Sequence, residues 1–327
     1  MAIRSGLAAQ VGLAAETTYG TGVTPTRFIE FNSESLALSI ERIESAGLRA
    51  SNRVLRSDRF VAGKKSVEGE IEAEIQSKGY GLLFKAALGA STISTPSGAT
   101  NARLHRHILA DPYGQSYTIQ VGRPDTSGTV QPFTYSGCKV SEFTLANSID
   151  EFLVGTWNWD GQAETTGTAL ATASYATSTE LLSWVGGAVT IAGSAVAVVT
   201  DVEISVSTGL KTDRYTIGSS ALKKEQIISG MTEISGTITA EFDGLTNYNR
   251  FVNGTLAAIE CTWTGNTAIE STTYPYVKVT MPNCRFDGTT PAVEGPDVLS
   301  IELPFKALYD GTSEAITLDY MTSDTTS

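Results

Sequence analysis

The clearest alternation of apolar and polar positions lies between Val67 and Ile75, where Val67, Ile71, Ala73 and Ile75 interleave with Glu68, Glu70, Glu72 and Glu74. Strand side chains point to opposite faces with a period of two, so this segment predicts a strand with one apolar and one carboxylate face. Residues 27–31, 36–40, 188–191 and 202–206 alternate or run apolar between turn signals and read as further strands. Helical spacing shows in two short runs: Tyr80, Leu83, Phe84, Ala87 and Leu88 before Gly89, then Leu245, Tyr248, Phe251 and Val252 before Gly254. Each glycine suits a left-handed C-terminal cap.

The pattern occurs twice. Residues 66–75 match residues 233–242, with Gly69 on Gly236, Ala73 on Ala240 and Glu74 on Glu241, and each stretch precedes one of the helical runs. Farther on, 135–140 parallels 281–286 through Cys138 and Cys284. Trp157 and Trp159 before Asp160-Gly161 parallel Leu303 and Phe305 before Asp310-Gly311. The halves differ by an insertion at about 90–116, which carries both histidines and several turn formers and reads as a loop. A Thr-, Ala- and Ser-rich stretch without period, 162–180, reads as a linker. The expected fold is therefore mainly β: two duplicated antiparallel β-sandwich or barrel domains, 1–161 and 181–327, each with a short flanking α-helix.

Charge narrows the function. The 327 residues carry a formal net charge of −12 with a pI near 4.7. That sign opposes stable binding to nucleic acid or an anionic membrane, and it suits a surface past which nucleic acid moves without sticking. Cys138, Cys261 and Cys284 are an odd number without C-x-x-C spacing, so neither a disulfide framework nor a zinc site is implied. The N-terminal stretch, with Arg4 as its early charge, is too broken for a secretory signal, and no apolar run is long enough to span a bilayer. A soluble chain made in the cytoplasm is expected, without membrane insertion.

Candidate chemistry is sparse. The row Glu68, Glu70, Glu72 and Glu74, with Glu241 as its remnant in the second half, is either a solvated strand face or a lining that repels phosphate. Arg49, Arg53, Arg56, Arg59, Lys64 and Lys65 form a basic stretch with little aromatic interleaving that reads as a long exposed loop, either merely solvated or docked on an acidic patch of a neighbouring subunit rather than on nucleic acid. Its counterpart holds Lys211, Arg214, Lys223 and Lys224. His105 and His107 near Asp111 are the chain's two histidines, too few for a histidine-rich metal site. Trp157, Trp159, Trp184 and Trp263 suit core packing or an interface, with a sugar-stacking platform as the alternative. Phosphate-cradling, nucleophile-elbow and dinucleotide fingerprints are missing from the sequence. No catalytic, cofactor or metal residues are assigned, and a carboxylate-pair hydrolase stands as a third reading.

Three segments carry a resemblance: Gln10-Val-Gly-Leu-Ala-Ala-Glu-Thr-Thr-Tyr-Gly-Thr-Gly-Val-Thr-Pro25, Lys64-Lys-Ser-Val-Glu-Gly-Glu-Ile71 and Tyr135-Ser-Gly-Cys-Lys-Val140. In this order they resemble the tail-tube proteins of long-tailed bacteriophages. The resemblance implies a self-assembling structural virion protein whose rings stack into a tube around a tape-measure protein, between tail-tip and tail-terminator proteins, and later pass DNA. It also implies hexameric rings of single-domain members. A duplicated chain then closes a pseudo-six-fold ring from three copies, with a hexamer of full chains as the rival. The row at 68–74 becomes the candidate lumen lining, and 49–65 with 211–224 the candidate contacts between subunits or rings. An adhesive or carbohydrate-binding virion module is the alternative function.

Overall fold

The computed structural model describes residues 5–288, 290–293, 295–296 and 298–327; Arg4 lies outside the described residues. The first half runs β1 (Gln10–Ala15), β2 (Arg27–Ile29), β3 (Ser33–Glu34), β4 (Ala37–Glu44), β5 (Phe60–Glu74), helix α1 (Gly81–Leu88), β6 (Gly89–Ser94), β7 (Arg103–Leu109), β8 (Tyr117–Pro124), β9 (Val130–Ser148), β10 (Val154–Gly161) and β11 (Ala163–Thr165). The second runs β12 (Gly187–Ile191), β13 (Ser194–Ala195), β14 (Val199–Ser207), β15 (Leu210–Lys211), β16 (Ile227–Ile228), β17 (Glu233–Glu241), helix α2 (Leu245–Asn253), β18 (Ala257–Thr264), β19 (Tyr276–Phe286), β20 (Ser300–Ala307) and β21 (Thr317–Thr322).

The chain is mainly β. Its described strands form one 19-stranded antiparallel sheet and a small two-stranded one, and no barrel closes. β9 is long enough to serve two layers. Its first part pairs with β8 and β11, and its last part with β10.

One pairing sequence occurs in both halves. β4, β5, β10 and β9 neighbour one another in that order, as do β14, β17, β20 and β19. β9, β8 and β1 continue the first series, and β19, β18 and β12 the second. Gly69 faces Trp159, which faces Val140; Gly236 faces Phe305, which faces Phe286. This register corrects one expected match. Asp160 falls on Lys306, whereas Asp310 lies beyond β20, where its carboxylate accepts from the Thr312 and Ser313 amides at 2.8 and 2.7 Å.

Two pairings of named strands join the halves. β14 pairs along β9 from Asp201↔Ser148 to Ser207↔Glu142, and β21 pairs with β7. The segment read as a linker lies along the first half: β11 joins β9, and the Gln120 side chain bonds the Ala169 carbonyl (3.1 Å) and the Ala171 amide (2.8 Å). Backbone groups make these contacts, which is why its side chains show no period.

The stretch 90–116, expected as a loop, carries most of the β6–β7 hairpin instead. In β7 the alternation is real, but its two fully inward positions are His105 and His107. Apolar periodicity cannot register an inward histidine. Helix α1 also departs from a flanking position. Seven of its eight residues are buried, and Phe84 meets Phe143, Trp157, Tyr320 and His107 at 5.4–6.2 Å between ring centroids. α2 buries none of its residues and lies against β19.

Candidate functional site

The residues of β5 divide as their alternation requires. Val67, Ile71 and Ala73 are fully buried, while Glu68, Glu70, Glu72 and Glu74 point to the other face. Register carries this carboxylate face across the sheet. Glu70 stands opposite Asn158, Asn158 opposite Glu142, Glu142 opposite Ser207 and Ser207 opposite Glu233. Farther along, Glu74, Val154, Ala146, Glu203, Thr237 and Pro304 form a second cross-strand line. Glu241 lies on the same face of β17, and Glu302 on that of β20.

This face is broad, polar and acidic, and it runs unbroken through both halves. Between the carboxylates it carries Thr144, Thr156, Ser205, Ser235, Thr237 and Thr239. Ser205 donates to Glu142 Oε1 (3.1 Å), Thr144 donates to Ser205 (3.3 Å), and Ser148 donates to Asp201. On β17 and β20 the one basic side chain is Lys306, paired with Glu233. Directly opposed like charges destabilise a sheet, and along most of this face the register avoids them by setting Asn158, Thr156, Ser207 or Thr239 opposite a carboxylate. Glu142, Asp201, Glu203, Glu233 and Glu302 were missed as part of the row because strand neighbours are set by register. Their alternation was the signal available.

At the end of the sheet nearest Val67 the same face is covered. Asp160 is buried beneath the segment after β15, where Lys223 Nζ reaches its Oδ2 (2.6 Å) and the Gln226 amide its Oδ1 (2.6 Å). Lys139 Nζ, also buried, binds Glu225 Oε1 at 2.7 Å and the Pro112 and Gln226 carbonyls. Burial pushes the Asp160 carboxyl up and the Lys139 amine down; Lys223 and Glu225 oppose those shifts.

The expected contact residues separate into two groups. β4 and the first part of β5 extend past the body as an exposed arm, with residues 45–59 at its tip. Seven basic and three acidic residues fall between 41 and 65. Arg49 and Arg53 make no ion pair among the described residues, while Arg56 and Arg59 share Asp58. In the second half the corresponding segment folds back. Lys211 pairs with Asp213 (2.7 Å), Arg214 donates to the Glu225 carbonyl, and Tyr215 donates to the Lys65 carbonyl (2.7 Å) beneath Lys64. Lys223 is spent inside the fold and cannot meet a neighbour, whereas Lys224 is exposed.

Three of the four tryptophans are unavailable to a sugar. Trp157, Trp159 and Trp263 are buried, Trp157 stacked on Phe143 with centroids 5.3 Å apart. Trp184 alone of the four is exposed. His105 and His107 lie inside the aromatic core, and the described residues contain no cluster of three His, Cys, Asp or Glu side chains able to hold a metal. All three cysteines are buried and free, with burial pushing the Cys261 and Cys284 thiols up to about 12. No described helix is long and apolar enough to cross a membrane.

A family model described as "Phage tail tube protein" matches residues 6–307. No curated protein matches the chain.

Proposed function

The chain belongs to the phage tail tube protein family, and from that premise we propose that it closes into rings whose stacked wall carries the acidic sheet face toward the lumen. The observation that carries this reading is the seam between the halves. β14 occupies the position in its series that β4 occupies in the other, and its outer edge is paired along β9. The matching edge of β4 carries no strand among the described residues.

At the far end, β19 stops at Phe286, the counterpart of Val140. Nothing described supplies Ser300–Leu303 of β20 with the pairing that β9 gives β10. Of the two open edges, that of β4 repeats β14's side of the internal seam, and that of β20 repeats the β10 edge that β9 covers. Bringing β4 of one copy to this end of the next, across the place that β9 holds within the chain, continues the series between chains, and three chains supply six repeats. A ring of six full chains would leave the two halves in unlike positions, so the trimer is favoured.

The role is structural, in the virion tail, with assembly in the host cytoplasm. The tape-measure protein is the proposed occupant of the lumen during assembly, tail-tip and tail-terminator proteins bound the stack, and DNA passes without sequence recognition. A wall that guides DNA without holding it requires like charge and few cations, which the Glu, Ser and Thr face provides. The test is negative-stain electron microscopy of the purified chain across concentration, with and without tail-tip complexes as seeds. Hollow filaments with three copies per ring are expected. Filaments with six full chains per ring would refute the seam argument, and seeded samples without rings or filaments would refute the tube.

A further inference from the structure

We propose that the folded chain cross-links itself, Lys223 and Asp160 condensing into a side-chain amide that fastens the segment between β15 and β16 to β10. The reaction is independent of the tube reading and needs only the fold. Lys223 Nζ lies 2.6 Å from Asp160 Oδ2, and the two side chains are 1 and 3% exposed. They are 63 positions apart in the chain, so the fold alone brings them together.

The site holds the parts of an acyl transfer. An ammonium carries three donors, yet among the described residues Lys223 Nζ bonds Asp160 and nothing else. Two N–H groups therefore stand in a dry interior without acceptors, a costly state that an amide relieves. Gln226, itself fully buried, donates from Nε2 to Asp160 Oδ1 at 2.6 Å. Its donor thus sits on the oxygen away from the lysine, where charge gathers when the amine adds to the carboxyl carbon. Burial also pushes the Asp160 carboxyl up, toward the uncharged form that an amine attacks. The neighbouring Lys139–Glu225 pair lacks these features. At 2.7 Å it is nearly as short, but Lys139 Nζ also donates to the Pro112 and Gln226 carbonyls, so each of its protons has an acceptor. The Glu225 side chain is 16% exposed, and no protein donor among the described residues holds its second oxygen.

The step balances within the pair. A bond forms between Lys223 Nζ and Asp160 Cγ, and the bond from Cγ to Oδ2 breaks. Of the three ammonium protons, two leave with Oδ2 as water and one stays on the amide nitrogen. Oδ1, held by Gln226, becomes the amide oxygen, and the two opposite charges cancel. No oxidant or co-reactant is needed. Fixing the partners in contact gives an effective concentration on the order of 10⁵–10⁸ M over the same groups free in solution. The ion pair of the freshly folded chain is the reactant, and the amide forms as the folded chain ages. A cross-link of this span removes freedom from the unfolded chain and keeps the folded-back segment seated.

The test is the intact mass of the full-length wild-type chain under denaturing conditions, taken when freshly purified and through incubation in the folded state. The loss of one water, growing with time, is expected. A tryptic digest should then contain a branched peptide joining the segments around Asp160 and Lys223, because trypsin does not cut after an acylated lysine. The Asp160-Gly161 sequence can also lose one water by closing a succinimide on its own backbone. Lys223→Arg separates the two reactions: it keeps a cation at the site, cannot form the amide, and should hold its full sequence mass through the same incubation. Wild-type chain that stays at full mass overturns the proposal. Water loss in Lys223→Arg at the wild-type rate, or a wild-type digest without the branched peptide, overturns it equally. If Lys223→Arg does not fold, the wild-type digest decides alone.

Discussion

Both ring nitrogens of His107 are buried without a hydrogen-bond partner among the described residues, with Phe84 edge-on at 5.8 Å. Burial first, then the charges of His105 and Lys85, hold its pKa at about 3, so the ring is neutral in the fold. His105, whose Nε2–H donates to the Asp324 carbonyl at 2.8 Å, is also shifted down by burial. An unfolded histidine takes its proton near 6.5. Stability from the neutral ring is thus complete above that value and falls by about 1.4 kcal/mol per pH unit as acid is added, down toward pH 3. Urea unfolding should show a midpoint that drops between pH 7 and 4.5, and His107→Leu should flatten the drop. Equal slopes for the two proteins would exclude His107 as the source. Glycine gives a second prediction at this scale. A Cβ on Gly236 would sit 2.2 Å from the Glu203 carbonyl and 2.6 Å from the Phe305 ring. Gly69, its repeat counterpart, has φ +152° with Leu36 backbone 2.5 Å away. Either Gly→Ala change should cost roughly 2–4 kcal/mol in thermal or urea unfolding, far above a surface substitution. A loss below 0.5 kcal/mol (about the surface level) would show that the backbone yields.

Elements were legible where one face is apolar. The β5 strand and the two helical runs could be read, because alternation and cap glycines are local signals. Missed were the β6–β7 hairpin, whose inward side chains include His105 and His107, and the packing of the helices. α1 reads as amphipathic yet is buried on nearly every side, because β7, β9 and β21 close around it; no local pattern contains that. The segment between β15 and β16 was legible as basic, though not as folded back. Its anchor is the Lys223–Asp160 pair, both side chains almost fully buried. Removing one partner leaves an uncompensated charge, so Lys223→Met should destabilise by roughly 3–5 kcal/mol, and adding Asp160→Asn should recover much of that. Urea unfolding of the single and double variants decides it. If the double variant is as weak as the single, packing rather than charge is responsible.

At the scale of the whole molecule the sequence showed a carboxylate row in one half and little in the other. The fold makes them one surface, since β9 pairs with β14 and carries the face from Glu68 to Glu302. The row that Glu241 alone represented in the second half is therefore joined on this face by Glu142, Asp201, Glu203 and Glu233. Screening limits the reach of such a wall to about 8 Å at physiological ionic strength, so its effect falls on phosphates that graze it rather than on DNA at the axis. That fixes what neutralisation should do. Phage carrying Glu68, Glu70, Glu72 and Glu74 as Gln should build tails of normal length, because the inner core residues of β5 are untouched. They should deliver DNA more slowly, and adding Glu142→Gln and Glu203→Gln should slow it further. Potassium efflux or fluorescence of ejected DNA in single-infection time courses measures the delay directly. An unchanged ejection rate in intact tails would place this face away from the lumen and turn it toward the outside of the tube, where ten carboxylates would serve solubility alone.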